Sequence, residues 1–376
     1  MQSNPRANSF RPMVSQQPLD IAIVGAGPSG SVCACSVLAA DNGLNVALID
    51  RKEFPRDKSC GDAVREDAMK MLAELGINHI FAGRPQIQCL SPTVPERFRY
   101  MQKLIDFADH SYYIVERKIF DNSIYQSAID RGAQNFAGYA LSDAVFDENS
   151  SLWTLTLKDC FNFSLFLQAR VLIGADGASS RVRRIVGLEL NSEKHMSVGV
   201  RAYAQARGLD EGLMRIDYLE HLIPGYGWVF PLLDNKVNIG IFLDRRDYKL
   251  YGSTLKSHLD YYIGYLASIG IVLEDVRNIY AHPLPLSWSG LPLAPHRQAA
   301  LIGDAAAMID PFTGEGIHFG IWGGICLGRS VAEGLNKHGL QSGIEEYSRA
   351  YFDRHANLME DSQHFRTALR FQRMMF

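Results

Sequence analysis

Three glycines, Gly25, Gly27 and Gly30, stand between a short apolar run and a stretch of small residues. No other feature restricts the fold as much. The run Asp20-Ile-Ala-Ile-Val24 is too short for a helix and rich in β-branched residues, so it reads as a buried parallel strand. The small residues from Ser29 to Ala40 suit a tightly packed helix, with Pro28 just before them. Val46-Ala-Leu-Ile-Asp50 reads as the next strand, which completes a βαβ unit. Gly-x-Gly-x-x-Gly is the spacing of dinucleotide-binding turns. Gly25 allows the tight turn, Gly27 the approach of backbone to a pyrophosphate, and Gly30 the packing of helix on strand. The helix N-terminus offers free N–H groups and a favourable dipole to that pyrophosphate. Asp50 lies about 20 residues beyond Gly30, where a ribose-binding acid is expected, and Arg51 follows it.

The chain has 376 residues, room for two domains with separate cores. Hydrophobic residues at 47% and charged residues at 21% describe a soluble globular protein. A net charge of −3 without a long basic run argues against a nucleic-acid partner. No apolar stretch approaches the roughly 18 residues of a membrane span. Six cysteines without a CxxC pair or a histidine-containing cluster predict no metal site and a cytoplasmic enzyme with free thiols. Residues 1–18 are polar, lack the apolar centre of a secretory signal, and read as a flexible arm.

Further elements follow from pattern. Ser123 to Arg131 reads as a helix ending at Gly132. Trp153–Leu157 and Phe161–Leu167 read as antiparallel strands, and Val171–Ala175 as a separate buried strand. Gly227–Leu232 and Val237–Phe242 read as a strand pair turning at Asp234-Asn235. Tyr251–Gly270 should be helical, Ala299–Gly303 a core strand and Gly316–Glu333 a long apolar helix. The tail from Ile344 to Phe376 reads as an amphipathic helix. The expected class is α/β, a Rossmann-type domain interleaved with a second, mainly antiparallel-sheet domain. The first would use residues 19–85, 115–188 and 288–345, and the second, for substrate, residues 86–114 and 189–287. A C-terminal helical tail would cover residues 346–376.

Two more segments bear on the ligand. Ile173-Gly-Ala-Asp-Gly177, followed by Ser180 and Arg183, resembles the Asp-Gly fingerprint of flavin monooxygenases and their relatives. Leu301-Ile-Gly-Asp304, followed by Pro311 and Thr313-Gly-Glu-Gly316, resembles their Gly-Asp fingerprint. That resemblance implies FAD and a fold of the p-hydroxybenzoate-hydroxylase and glutathione-reductase kind. It implies that Asp176, Gly177, Gly303, Asp304, Pro311, Gly314, Gly316 and Ile317 line the cofactor, with Asp304 on its ribityl chain. The helix after Gly316 would aim its N-terminus at the flavin pyrimidine edge, where reduced flavin carries negative charge. Arg117, in Glu116-Arg-Lys-Ile-Phe-Asp121, matches an arginine that the family places near FAD.

Over roughly Asp20 to Glu346 the chain resembles the geranylgeranyl-reductase-like branch. The matching segments are Lys58-Ser-Cys-Gly-Asp62, Tyr226-Gly-Trp-Val-Phe-Pro231 and Asp310-Pro-Phe-Thr-Gly-Glu-Gly-Ile317. The branch implies hydride delivery from reduced FAD to carbon–carbon double bonds of isoprenoid chains. It implies Cys60 near the flavin, and Trp228 and Phe230 on an apolar cavity. Cys60 and His318 are the candidate catalytic groups, with His195, His221 and His282 as further acid–base candidates. The expected substrate is a hydrophobic isoprenoid, polyketide or aromatic. NAD(P)H or another reductant would act from solvent, since no second dinucleotide motif is present. A flavin reductase or carrier protein is a conceivable partner. NAD(P)H/O₂-dependent monooxygenation stays open beside reduction. So do halogenation, for which Lys103 is the loose lysine candidate, a non-redox flavin cyclase and a prenyl-group escort.

Overall fold

The computed structural model describes residues 17–89, 93–98, 111–189, 193–210, 212–250, 254–288, 290–291 and 293–375. Lys103, residues 1–16 of the expected arm, and part of the expected 86–114 segment lie outside these. One sheet orders its strands Gln134–Ala137, Val46–Asp50, Leu19–Val24, Ser164–Gly174, Leu152–Lys158 and Ala140–Asp147, with Ala299–Leu301 also pairing to Ser164–Gly174. The contacts of Leu19–Val24 with Val46–Asp50 and Ser164–Gly174, and of the latter with Ala299–Leu301, are parallel. Three strands from distant parts of the chain therefore bring the three glycine-bearing turns to one sheet edge, at the carboxyl ends where α/β folds bind ligands.

Ser164–Gly174 corrects the expectation of two strands there. Residues 164–169 pair antiparallel with Leu152–Lys158, while residues 169–174 pair parallel with Leu19–Val24. The burial pattern changes midway, from alternating to continuous, because the later half is covered on both faces. The helix read as beginning at Ser123 starts at Arg117 and runs to Asp130.

Helix Pro28–Ala40 lies against helix Ile317–Glu333. Gly324 and Gly328 make this possible: a Cβ on either would collide with the backbone of Ser29 or Cys33. The Ser36 hydroxyl donates to the Ile325 carbonyl across the contact (2.9 Å). The helix opened by the three-glycine turn and the helix following Gly316 are thus locked together, backbone to backbone.

The second sheet has the order Val272–Pro285, Met196–Arg207, Lys236–Asp244, Tyr226–Pro231, Leu213–Asp217, Ile87–Cys89, Ser111–Ile114 and Ala63–Arg65. It is mainly antiparallel; Leu213–Asp217 with Ile87–Cys89 is a parallel pair. Asp234 and Asn235 both have left-handed backbone, at φ 60° and 58°, as the expected turn requires. Two of these strands depart from the sequence reading. Val272–Pro285 is an edge strand whose Glu274, Asp275 and Arg277 hid it from any hydrophobic pattern. Ala63–Arg65, expected with the first layer, pairs instead with Ser111–Ile114 in the second sheet.

The expected helix Tyr251–Gly270 is Leu255–Ser268, opened by a Thr254/Ser257 capping box. The C-terminal helix Leu340–Met375 spans both layers. Tyr347 donates to the Leu301 carbonyl beside the first sheet (2.8 Å). Arg366 donates to Asp244 and Ser197 of the second (2.8 Å each). Among the described residues no helix is long and apolar enough to cross a membrane.

Candidate active site

Between the two sheets lies a cavity of about 1030 Å³. It is lined at one end by Gly25, Gly27, Pro28, Asp50 and Arg51, and along its length by Asp176, Gly177, Cys60, Arg117 and Asp304. Gly314, Gly316 and Ile317 follow, and Trp228 and Phe230 stand on the second-sheet wall. Gly30, Gly303, Pro311 and His318 are not on its surface. Gly30 supports the turn from below, where a Cβ would run into the Gly25 carbonyl oxygen. Gly303, at φ 62°, packs on Ser29. The His318 ring lies edge-on to Phe319 and 6.3 Å from the His355 ring, beneath the C-terminal helix, so this candidate acid is held away from the cavity. His195 packs on Trp288, and His221 on His258 and Tyr261. Of the four histidines considered, His282 lines the cavity.

The cavity wall fits an FAD. Gly25 sits at φ 105°, and a Cβ there would run into the Ala175 carbonyl. The N-caps of helices Pro28–Ala40 and Ile317–Glu333, Gly27 and Gly316, make no side-chain capping bond, which leaves first-turn N–H groups for a ligand. Asp50 accepts the Ala26 N–H at 2.9 Å, which fixes the carboxylate at the end of its strand. Arg51, Arg56, Lys58, Arg117 and Arg181 add positive charge along the length, suited to a diphosphate.

Asp304 is the focus of the middle portion. Burial alone would raise its carboxyl, but the Lys58 ammonium at 2.8 Å, with His282 and Arg117, holds it below the usual range. It is therefore an acceptor for hydroxyl groups. His282 has its Nε2 3.9 Å from Asp304 Oδ2, and burial, then Lys58, push its pKa down to about 4. This imidazole is neutral at ordinary pH.

Sequence reading missed the polar network behind Cys60. Asp62 has left-handed backbone (φ 65°) and no solvent exposure. Its Oδ2 accepts from the Tyr203 hydroxyl (2.7 Å) and the Asn238 amide (2.8 Å). Asn238 also donates to the Cys60 carbonyl (2.7 Å) and accepts from Trp228 Nε1 (3.0 Å). The Cys60–Asp62 loop is thus sewn to the second sheet. Burial pushes the Asp62 carboxyl up to about 7, against the hydrogen bonds from Tyr203 and Asn238. Arg117 lies within electrostatic reach of the Cys60 side chain and is gripped by Asp121 at 2.6 and 2.8 Å. A signal for Asp62 existed, since it closes the quoted Lys58–Asp62 segment; its partners come from strands about 140 to 180 residues away.

Beyond Gly314 the lining turns apolar: Trp228, Phe230, Phe242, Phe312, Met214 and Ile216 belong to one cluster. Among the described residues, no group of histidine, cysteine, aspartate or glutamate side chains could hold a metal.

The FAD binding domain family profile matches residues 18–226, over half of the chain. The chain belongs to the FAD_binding_3 family. It is an FAD-dependent oxidoreductase with reductases and monooxygenases among its kin. A menaquinone reductase of Mycobacterium tuberculosis is 31% identical over 342 residues, covering 85% of this chain and 77% of the relative. A digeranylgeranylglycerophospholipid reductase of Methanococcoides burtonii is 25% identical over 88% of this chain and 79% of the relative. Among solved structures, a geranylgeranyl bacteriochlorophyll reductase-like protein of Thermoplasma acidophilum superposes with a TM-score of 0.76 at 19% identity, covering 94% of this chain and 88% of that one. The flavin-dependent halogenase CmlS superposes at 0.70 and 19% identity, over 90% of this chain and 62% of that one. These structural likenesses establish the FAD-binding fold that the FAD_binding_3 oxidoreductase shares with both neighbours.

Proposed function

We propose that this oxidoreductase reduces a carbon–carbon double bond in the isoprenoid chain of a lipid-soluble substrate. The observation that carries the reading is the apolar end of the cavity, walled by Trp228, Phe230, Phe242 and Phe312 beyond the Gly314–Gly316 loop. Such a wall excludes water and favours hydrocarbon over polar groups. A geranylgeranyl chain, named for one relative, is an unconjugated polyene of this character.

In this reading Gly25, Gly27, Pro28 and Gly30 form the pyrophosphate turn, and Asp50 with Arg51 receives the adenosine half. Asp176, Gly177 and Asp304 surround the ribityl chain, with Gly303 and Pro311 supporting that stretch from behind the cavity wall. Gly314, Gly316 and Ile317 present helix-start N–H groups to the flavin edge. When bound, reduced FAD supplies the hydride. Arg117, held by Asp121, fixes Cys60 on the wall, while Trp228 and Phe230 orient the chain and keep water out. NAD(P)H is the proposed reductant.

The test is a single turnover under nitrogen. Protein reduced with NADPH or dithionite is mixed with a geranylgeranyl lipid, and flavin absorbance is followed. The expected result is substrate-dependent reoxidation and a product that has gained two hydrogens. Reoxidation that requires oxygen, with an oxygenated product, would replace reduction by monooxygenation.

A further inference from the structure

Reduction of an isolated alkene needs a proton as well as a hydride. Five cavity-lining groups bear on where it comes from: Cys60, His282, Asp304, Asp310 and Glu315. Asp304 is held ionised beside Lys58, and His282 stands against that same pair, on the ribityl side. Asp310 is spent on its own loop: it accepts the N–H groups of Phe312 and Thr313 and the Ser362 hydroxyl. Cys60 is engaged by Arg117.

Glu315 differs in position. It stands between Gly314 and Gly316, on the loop that opens helix Ile317–Glu333. Its carboxylate lies 3.3 Å from Arg65 Nη1, on the short strand Ala63–Arg65 of the second sheet. Its neighbours reach the apolar wall: Arg65 is in register with Tyr112, and a Cβ on the adjacent Gly314 would touch the Phe242 ring at 3.3 Å. A fifth of its side chain is accessible, from the cavity that it lines.

We propose that Glu315 is the acid of the reaction, donating the proton to the carbon beside the one that receives hydride. The assignment rests on the double-bond reduction proposed above. In the balanced step the alkene π bond opens. Reduced FAD gives hydride to one carbon and becomes oxidised. The Glu315 carboxyl gives its proton to the neighbouring carbon and becomes a carboxylate, which Arg65 stabilises and water later reprotonates. The environment supports this role. Burial pushes the carboxyl up to about 7 against the pull of Arg65, with Asp310 and Asp67 adding to the rise. Among the described residues, those three, with Tyr112 beside Arg65, are the charged and titratable groups that act on it most from the loop and from the second-sheet side.

The experiment compares wild type with Glu315→Gln, which keeps the shape and removes the proton. Each is loaded with FAD, reduced with dithionite under nitrogen and mixed with a geranylgeranyl lipid. Wild-type reoxidation should slow as pH rises from 5.5 to 8.5, with a midpoint near 7. E315Q should retain FAD, reoxidise at least 100-fold more slowly and lose that midpoint. Infrared difference spectra of the unreacted proteins give a readout apart from turnover: of the two protonated-carboxyl signals titrating near neutrality, from Asp62 and Glu315, E315Q should keep the first and lose the second. Wild-type turnover matched by E315Q overturns the assignment alone. A pH-independent wild-type rate overturns it even if E315Q fails to fold. A wild type that reduces no alkene overturns the underlying reading and this assignment with it.

Discussion

Asp62→Asn isolates the energetics of the buried network behind Cys60. The substitution preserves shape, and asparagine accepts left-handed backbone as readily as aspartate does. Its amide oxygen can take both bonds now made to Oδ2, from Tyr203 and Asn238. Its amide NH₂ would replace Oδ1, which has no hydrogen-bond partner among the described residues. What changes is the charge. The Asp62 pKa rises from 3.8 to about 7 on folding, chiefly by burial. Because the folded state holds the proton more tightly, ionisation costs stability. That cost is nearly absent below pH 4, builds between pH 4 and 7, and is complete above the folded pKa. At about 1.4 kcal/mol per pH unit, it is roughly 1.5 kcal/mol at pH 5 and about 4 kcal/mol at pH 8. Urea unfolding at pH 5, 6.5 and 8, with equal excess FAD, should therefore show D62N gaining on wild type as pH rises. The Glu315 titration is common to both proteins and cancels in the difference. A difference that stays flat with pH, or a D62N protein less stable than wild type at pH 8, would refute the reasoning.

Gly30→Ala should abolish FAD retention on gel filtration, since its Cβ would meet the Gly25 carbonyl and push the pyrophosphate turn out of shape. Wild-type flavin content in G30A would contradict this. Asp304→Ala should weaken FAD affinity at least tenfold in a fluorescence titration; unchanged affinity would remove Asp304 from the ribityl site. Arg366→Ala should cost about 2–4 kcal/mol in unfolding free energy, because it strips the buried Asp244 of one of its two arginines and leaves Ser197 without that donor. A smaller loss than about 1 kcal/mol would mean that the C-terminal helix is not anchored there.

Gly25-x-Gly27-x-x-Gly30, Asp50, the Asp176-Gly177 turn and the Asp304 to Gly316 stretch were legible as sequence because each is a local device. Its glycines, helix start and strand-end acid act within a few residues of one another, so spacing alone exposes them. The FAD-binding layer and most of the cavity's polar wall follow from these. The choice among histidines was not legible, because every ring nitrogen looks alike in a linear chain. His318 adjoins the Gly314–Gly316 loop in sequence, yet helix geometry turns it beneath the C-terminal helix, while the edge strand Val272–Pro285 carries His282 to Asp304. The same holds for Asp62 with Tyr203 and Asn238, and for Glu315 with Arg65. Their properties come from burial and from partners about 140 to 250 residues away, and only the closure of the second sheet over the first brings those charges together.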